Sequence, residues 1–198
     1  DRFELKYRAV QADSGNIGGS YTHEFQALAE VGEDTIVYTE ESDYSANIET
    51  AAVVEQNYTM PTGFEKKERS LLETPDQQSI DEIAAFCGVE VNRAMKALAL
   101  KADGEFYLVL MRGNDQLNDI KFMKATGTSE VEMATEQEIE EVMGSVAGYM
   151  GPFGIKGCKV IGDNAIKYMY NHSCGANKKG FHYINVNPGD YEIDAHYD

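Results

Sequence analysis

The stretch from Ser79 to Gly113, SIDEIAAFCGVEVNRAMKALALKADGEFYLVLMRG, leaves the chain least conformational freedom. Ser79 and Glu82 have the Ser-x-x-Glu spacing of a capping box, in which each side chain bonds a backbone amide that a helix start leaves unpaired. Ile80, Ile83 and Ala84 then recur at helical spacing, Gly88 supplies a stop, and a short second helix follows. Beyond it, Ala97–Ala102 and Phe106–Met111 flank Asp103-Gly104. Asp-Gly between two apolar runs is a strong hairpin signal, because both residues tolerate the positive φ of a type I′ turn. The two runs are nearly continuously apolar, as in strands covered on both faces.

With 198 residues the chain is long enough for one generous domain, or one domain plus a flanking piece. No apolar run is long enough to span a bilayer as a helix. Cys87, Cys158 and Cys174 are widely spaced and odd in number. That pattern argues against a disulfide framework or a zinc site and fits a reducing cytoplasm. The net charge is −17; nine of the excess negative charges fall in residues 1–74, four in 75–188 and four in 189–198. Nothing here is the basic footprint of a nucleic-acid binder, so an RNA partner would have to be held by its end.

Phe3–Val10 alternates like a strand. Gly15, Gly18 and Gly19 form a turn cluster that lacks the Lys-Ser/Thr of a P-loop and the spacing of a dinucleotide fingerprint. Glu24–Ala29 fits a strand or a short helix, Thr35–Tyr38 a strand, and Ser42–Glu55 a helix. Gln56–Thr74 carries Pro61, Gly63 and EKKER without a clear period, the composition of a linker. Further on, Asp119–Ala125 reads as helix, and Thr135 and Glu138 make a second capping box before Ile139, Val142, Met143 and the stop at Gly144. Lys159–Ile161 is a short strand ending at Gly162-Asp163, Ala165–Asn171 is helical, Gly175–Gly180 is a polar loop, and Phe181–Val186 is a last strand. The expected class is α/β (α+β), with short helices flanking a mixed, curved sheet.

Four features can carry chemistry, and each has a plainer reading. Gly148-Tyr149-Met150-Gly151-Pro152 is either a surface turn or a loop whose amides point into a cavity. Lys96, at the mouth of an apolar strand, is either a snorkelling end residue or a charge held at a pocket. Asp163, between a strand and a helix, is well placed as an N-cap. His182, between Phe181 and Tyr183, fits a satisfied core histidine as well as a pocket wall.

The run RAVQADSGNIGGSYTHEFQALAEVGEDTIVY, followed by SDYSANIE, resembles the core of bacterial-type prolyl-tRNA synthetases, a class II family, just before its inserted editing domain. TPDQQSIDEIAAFCGVEVNRAMKALALKA, LVLMRGNDQLNDIK, ATEQEIEEV, GYMGP, VIGD and GANKKGFHYINVN resemble that domain's landmarks in order. The resemblance divides the chain into class II core (1–58), linker (59–74), editing domain (75–188) and the return to the core (189–198), with a barrel-like sheet. The chain, opening on Asp1 in strand-like sequence, is then expected to be a piece of a longer protein. The implied reaction is hydrolysis of alanine mischarged on proline tRNA. It implies roles for Lys96, Gly148, Gly151, Pro152 and Asp163 at the reacting ester, and for Gly175, Ala176, Asn177 and His182 around the amino acid. Editing implies no cofactor and no metal. ATP and Mg2+ would serve only the full-length ligase, a homodimer whose class motifs would lie outside this chain. Thr22-His23-Glu24-Phe25 departs from the family's Ser-His-Glu-Phe at its first position but keeps a hydroxyl. A free-standing trans-editing deacylase and a non-catalytic tRNA-end or protein-binding module are the alternatives.

Overall fold

A computed structural model describes residues 6–12, 22–29, 32, 34–53, 63–75, 77 and 79–197. The chain divides into two units, Asp1–Val54 and Glu55–Asp198. The glycine cluster at 15–19 lies outside the described residues.

In the first unit, β1 (Tyr7–Ala12) pairs antiparallel with β2 (Thr22–Ala27) and parallel with β4 (Ser45–Asn47), which pairs antiparallel with β3 (Ile36–Tyr38). Val10 and Ala46 are buried on adjacent strands. The segment expected as a helix over Ser42–Glu55 is, in its described part (42–53), without helix: it holds strand β4 and a turn. Asn47 explains the change: its Oδ1 accepts the Glu49 amide at 3.0 Å and its carbonyl accepts the amides of Thr50 and Ala51. Short polar side chains that bond nearby backbone in this way compete with helix formation, and pairing with β1 and β3 decides the contest.

The second unit holds two sheets. One has the order β10-β11-β5, from His172–Gly175, Phe181–Val186 and Ser70–Glu73. The other has the order β12-β9-β7-β6-β8, from Ala195–Tyr197, Lys159–Asp163, Glu105–Arg112, Met95–Ala102 and Glu132–Met133. A parallel bridge between Ala94 and Ser173 joins them. Strand β5 falls inside the stretch expected to be linker, and β12, in the tail expected to return to the core, pairs with β9. Strands β8 and β10 were not legible in the sequence. Alternation is weak in such short runs, and β10 depends on partners distant in sequence.

The capping box of α1 (Ile80–Cys87) forms in full and Gly88 closes it at φ 68°; such a cap is worth about 1 kcal/mol. The β6–β7 hairpin turns at Asp103 (φ 48°) and Gly104 (φ 82°). Helix α2 (Asp119–Thr126) is capped by Asn118. The second capping box opens α3 (Glu136–Glu138), which runs on as a π turn, Ile139–Met143, and stops at Gly144. The helix expected over Ala165–Asn171 is a 3-10 turn, Asn164–Tyr168.

Two apolar clusters cover the two faces of the β6–β7 hairpin. Met95, Ala97, Ala99, Phe106, Leu108 and Leu110 pack with Met143, Met150, Cys174 and Val186. Leu98, Leu100, Tyr107, Val109 and Met111 pack with Phe122 of α2. This double coverage is why both strands read as unbroken apolar runs. Among the described residues no helix is long and apolar enough to cross a membrane.

Candidate active site

The loop after α3 and the loop after β10 meet backbone to backbone. The Tyr149 amide donates to the Val146 carbonyl at 3.0 Å, and Gly148, at φ 81°, occupies the turn position that needs positive φ. Gly151 and Gly175 are glycines for a different reason. A Cβ on Gly151 would stand 1.9 Å from the Gly175 carbonyl oxygen, and one on Gly175 would stand 2.2 Å from that of Met150. Pro152 follows, buried.

Asn177 fastens this junction. Its amide donates to the Tyr149 carbonyl at 2.7 Å. Its side-chain Oδ1 accepts from Ser145 Oγ at 2.7 Å and from the Gly151 amide at 2.9 Å. Its Nδ2 donates to the carbonyls of Gly151 at 2.9 Å and Phe153 at 2.7 Å. A primary amide offers two donors and two acceptor positions, so all are occupied. The side chain of Asn177, expected at the amino acid, is given wholly to the loop and to Ser145. Ala176 donates its amide to Phe181 at 3.3 Å and holds the turn into β11.

His182 lies under the junction, paired with Gly175 in β10 and Leu72 in β5. It is buried, its Nδ1 lies 2.7 Å from Thr74 Oγ1, and its ring centroid is 5.5 Å from that of Tyr149. Burial pushes its pKa below the ordinary histidine value, which keeps the ring neutral. A second buried histidine, His172, meets the Ser173 carbonyl through Nδ1 at 3.1 Å and the Tyr191 hydroxyl through Nε2 at 3.3 Å. Desolvation holds its pKa down to about 4.

Beside the junction is a cleft of about 620 Å3, lined by the run from Ser145 to Tyr149 together with Gln77, Glu136, Glu140 and Lys179.

Lys96 and Asp163 stand on the larger sheet, on β6 and β9. Side chains alternate along a strand, so Lys96 shares the face of Leu98 and Leu100, opposite the one that packs on Met150. Its Nζ donates to the Asp115 carbonyl, next to the 2.7 Å pair of Arg112 with Asp115. Asp163, two residues past Ile161 on β9, shares that second face, and its Oδ1 caps the following turn by accepting the Ala165 amide at 2.7 Å. The structure thus joins Gly148, Gly151, Pro152, Gly175, Ala176, Asn177 and His182 through direct contacts, and puts Lys96 and Asp163 together on the face of the larger sheet opposite the one that packs on Met150. Sequence reasoning missed Ser145 and Thr74, whose importance comes from partners 32 and 108 residues away.

The second unit is thus a small mixed α+β domain in which two glycines meet backbone to backbone above a buried histidine, beside a cleft. The model of the family described as the aminoacyl-tRNA editing domain matches residues 74–191, and the chain belongs to that family. It is 47% identical over its whole length to a proline-tRNA ligase of Halalkalibacterium halodurans, and 44% identical to proline-tRNA ligase 1 of Bacillus thuringiensis subsp. konkukian. It spans 34% and 35% of those relatives, about a third of their length. Among solved structures, a candidate trans-editing enzyme for prolyl tRNA synthetase superposes with a TM-score of 0.58 at 20% identity, covering 64% of this chain and 83% of that one. A hypothetical protein, APE2540, gives 0.56 at 20% identity, over 65% and 90%. These two likenesses establish the fold.

Proposed function

We propose that the domain hydrolyses the ester between a wrong amino acid and tRNA, with alanine on proline tRNA as the substrate. The observation that carries this reading is the Gly151–Gly175 junction, which presents a glycine-bent loop to the cleft within an aminoacyl-tRNA editing domain. Water attacks the ester carbonyl, its oxygen bonds to that carbon, the bond to the ribose oxygen breaks, and the released ribose oxygen takes up the proton. The neighbouring ribose hydroxyl of the tRNA orients the water. An uncommitted loop amide stabilises the oxyanion of the transition state, the usual largest contribution in acyl transfer. Neutral His182 and the backbone of Gly175 and Ala176 wall the amino-acid side.

The chemistry needs such a second site. A pocket built for proline rejects a smaller amino acid by only about 1–3 kcal/mol, the worth of the missing methylenes. A chamber sized for a methyl group then sieves by excluding the ring. Lys96 is assigned to the terminal phosphate of the tRNA, as a cation suited to phosphate, and Asp163 to the substrate's amine or ribose. The longer protein ligates proline to tRNA with ATP and Mg2+, as a cytoplasmic homodimer.

Incubation of the chain with alanyl-tRNA and prolyl-tRNA, at substrate concentrations high enough to offset the missing parts of the parent, tests the reading. Selective loss of alanine supports it. Loss of neither ester would leave a tRNA-end or protein-binding module instead.

A further inference from the structure

We propose that Asn177, held by Ser145, is a positioning residue that decides which loop amide receives the oxyanion, and that this amide belongs to Gly148. The inference rests on the deacylase reading and goes beyond it by naming the donor and what sets it.

The amides of the five-residue loop are accounted for one by one. Pro152 has none. Gly151 gives its amide to Asn177 Oδ1 at 2.9 Å, and Tyr149 gives its own to Val146 at 3.0 Å. Among the described residues, the amides of Gly148 and Met150 have no hydrogen-bond partner. Of these two residues only Gly148 lines the cleft, whereas the Met150 side chain is buried in the core. Gly148 sits at φ 81° with nothing within 4 Å of where a Cβ would stand, so that side of the residue has open space.

Asn177 creates this division. By taking the Gly151 amide and both nearby carbonyls it removes a competing donor and fixes the loop at three points, Gly151 N, Gly151 O and Phe153 O. Ser145 Oγ satisfies the remaining lone pair of Oδ1, while the donor-only Gly151 amide and the two acceptor-only carbonyls keep the side-chain amide from flipping. Ser145 and Gly148 line the same cleft, so the clamp and the donor lie three residues apart at one site. Without the clamp the loop still has its glycines, but nothing holds the Gly148 amide at oxyanion distance. A displacement of about 1 Å at a reacting centre costs on the order of 100-fold in rate.

Asn177 stands at φ 55°, so Asn177→Gly removes the side chain without straining the backbone. The variant is expected to lose about 100-fold in kcat for alanyl-tRNA deacylation with KM within about twofold, the signature of an interaction made in the transition state. Ser145→Ala, a milder change, is expected to lose about 10-fold in kcat with the same split. Hydrogen exchange at the Gly151 amide is read in parallel and is expected to accelerate in Asn177→Gly. Wild-type kcat together with faster Gly151 exchange would overturn the positioning role, and unchanged exchange would overturn the clamp. A rise in KM at constant kcat in both variants would make Asn177 a ground-state binding element and overturn the proposal as well. If Asn177→Gly unfolds, Ser145→Ala decides by the same two readouts. Should the unaltered chain hydrolyse neither ester, the deacylase reading fails first and this assignment with it, while Gly151 exchange still reports whether the clamp exists.

Discussion

Gly151 and Gly175 approach so closely that neither position admits a methyl group: a Cβ on Gly151 would lie 1.9 Å from the Gly175 carbonyl oxygen, and the obstacle is backbone. Gly151 lies in the loop after α3 and Gly175 ends β10, and their contact accompanies the packing of Tyr149 on His182. Gly148 is a contrasting case, with open space at its Cβ and only its φ of 81° to satisfy.

Gly151→Ala must therefore part the two loops. Overpacking of this kind costs about 1–3 kcal/mol, and the misplaced loop should lower deacylation by about 100-fold or more. Gly148→Ala meets no atom and is charged only for a left-handed conformation, about 1–2 kcal/mol. Thermal melts and deacylation rates of the two variants check this; an alanine at 151 tolerated as well as one at 148 would contradict the close approach.

Thr74 and His182 form a buried pair at 2.7 Å across β5 and β11. Thr74→Val keeps the shape and removes the hydroxyl, leaving Nδ1 without its partner. An unsatisfied buried group of this kind costs about 1–3 kcal/mol, and Thr74→Ser should recover most of it. Denaturant unfolding measures the energy and nitrogen chemical shifts of the ring report the tautomer. Equal stability of the valine and serine variants would show that the bond contributes nothing.

Lys96 tests the assigned phosphate contact from the other face of the hairpin. A charge-assisted hydrogen bond is worth about 1.5–3 kcal/mol, so Lys96→Ala should reduce alanyl-tRNA deacylation by about 10-fold or more. Lys96→Arg should retain part of the activity and of its salt dependence. Single-turnover hydrolysis at several salt concentrations is the measurement, and an unchanged rate in Lys96→Ala removes the residue from the site.

His172 makes stability depend on pH. Desolvation lowers its folded-state pKa to about 4, below the ordinary unfolded value of about 6.5. Between those values the unfolded chain binds a proton that the folded chain refuses, so stability is present above about 6.5 and is lost as the pH falls toward 4. The loss is on the order of 3 kcal/mol across that window. His172→Gln should flatten this part of the stability curve, as measured by urea midpoints from pH 7 to 4; an unaltered slope would assign the effect to other groups.

Local signals in the sequence carried much of the second unit. The caps at Ser79 and Thr135, the Asp103-Gly104 turn and the alternation of β11 all formed, because each depends on residues within a few positions of one another. The stretch 42–55 misled because its helical period competed with Asn47 turn bonds and with strand partners from elsewhere. Strand β5 was illegible in a charged run because its identity comes from pairing with β11, more than a hundred residues later. The hydrogen bonds of the Asn177 side chain were not legible, since they depend on Ser145, Gly151 and Phe153, which lie 24 to 32 residues earlier in the chain.

By itself, the amino-acid sequence determined the caps, the hairpin, the glycine turn and the family to which residues 74–191 belong. Tertiary structure alone decided that Gly151 meets Gly175, that Asn177 spends its amide on Ser145, Gly151 and Phe153, and that Lys96 takes the face of the β6–β7 hairpin opposite the one that packs on Met150. The physical reason is range. Capping and turn energies are settled between near neighbours, whereas a backbone–backbone approach depends on strand register and packing brought together from distant parts of the chain.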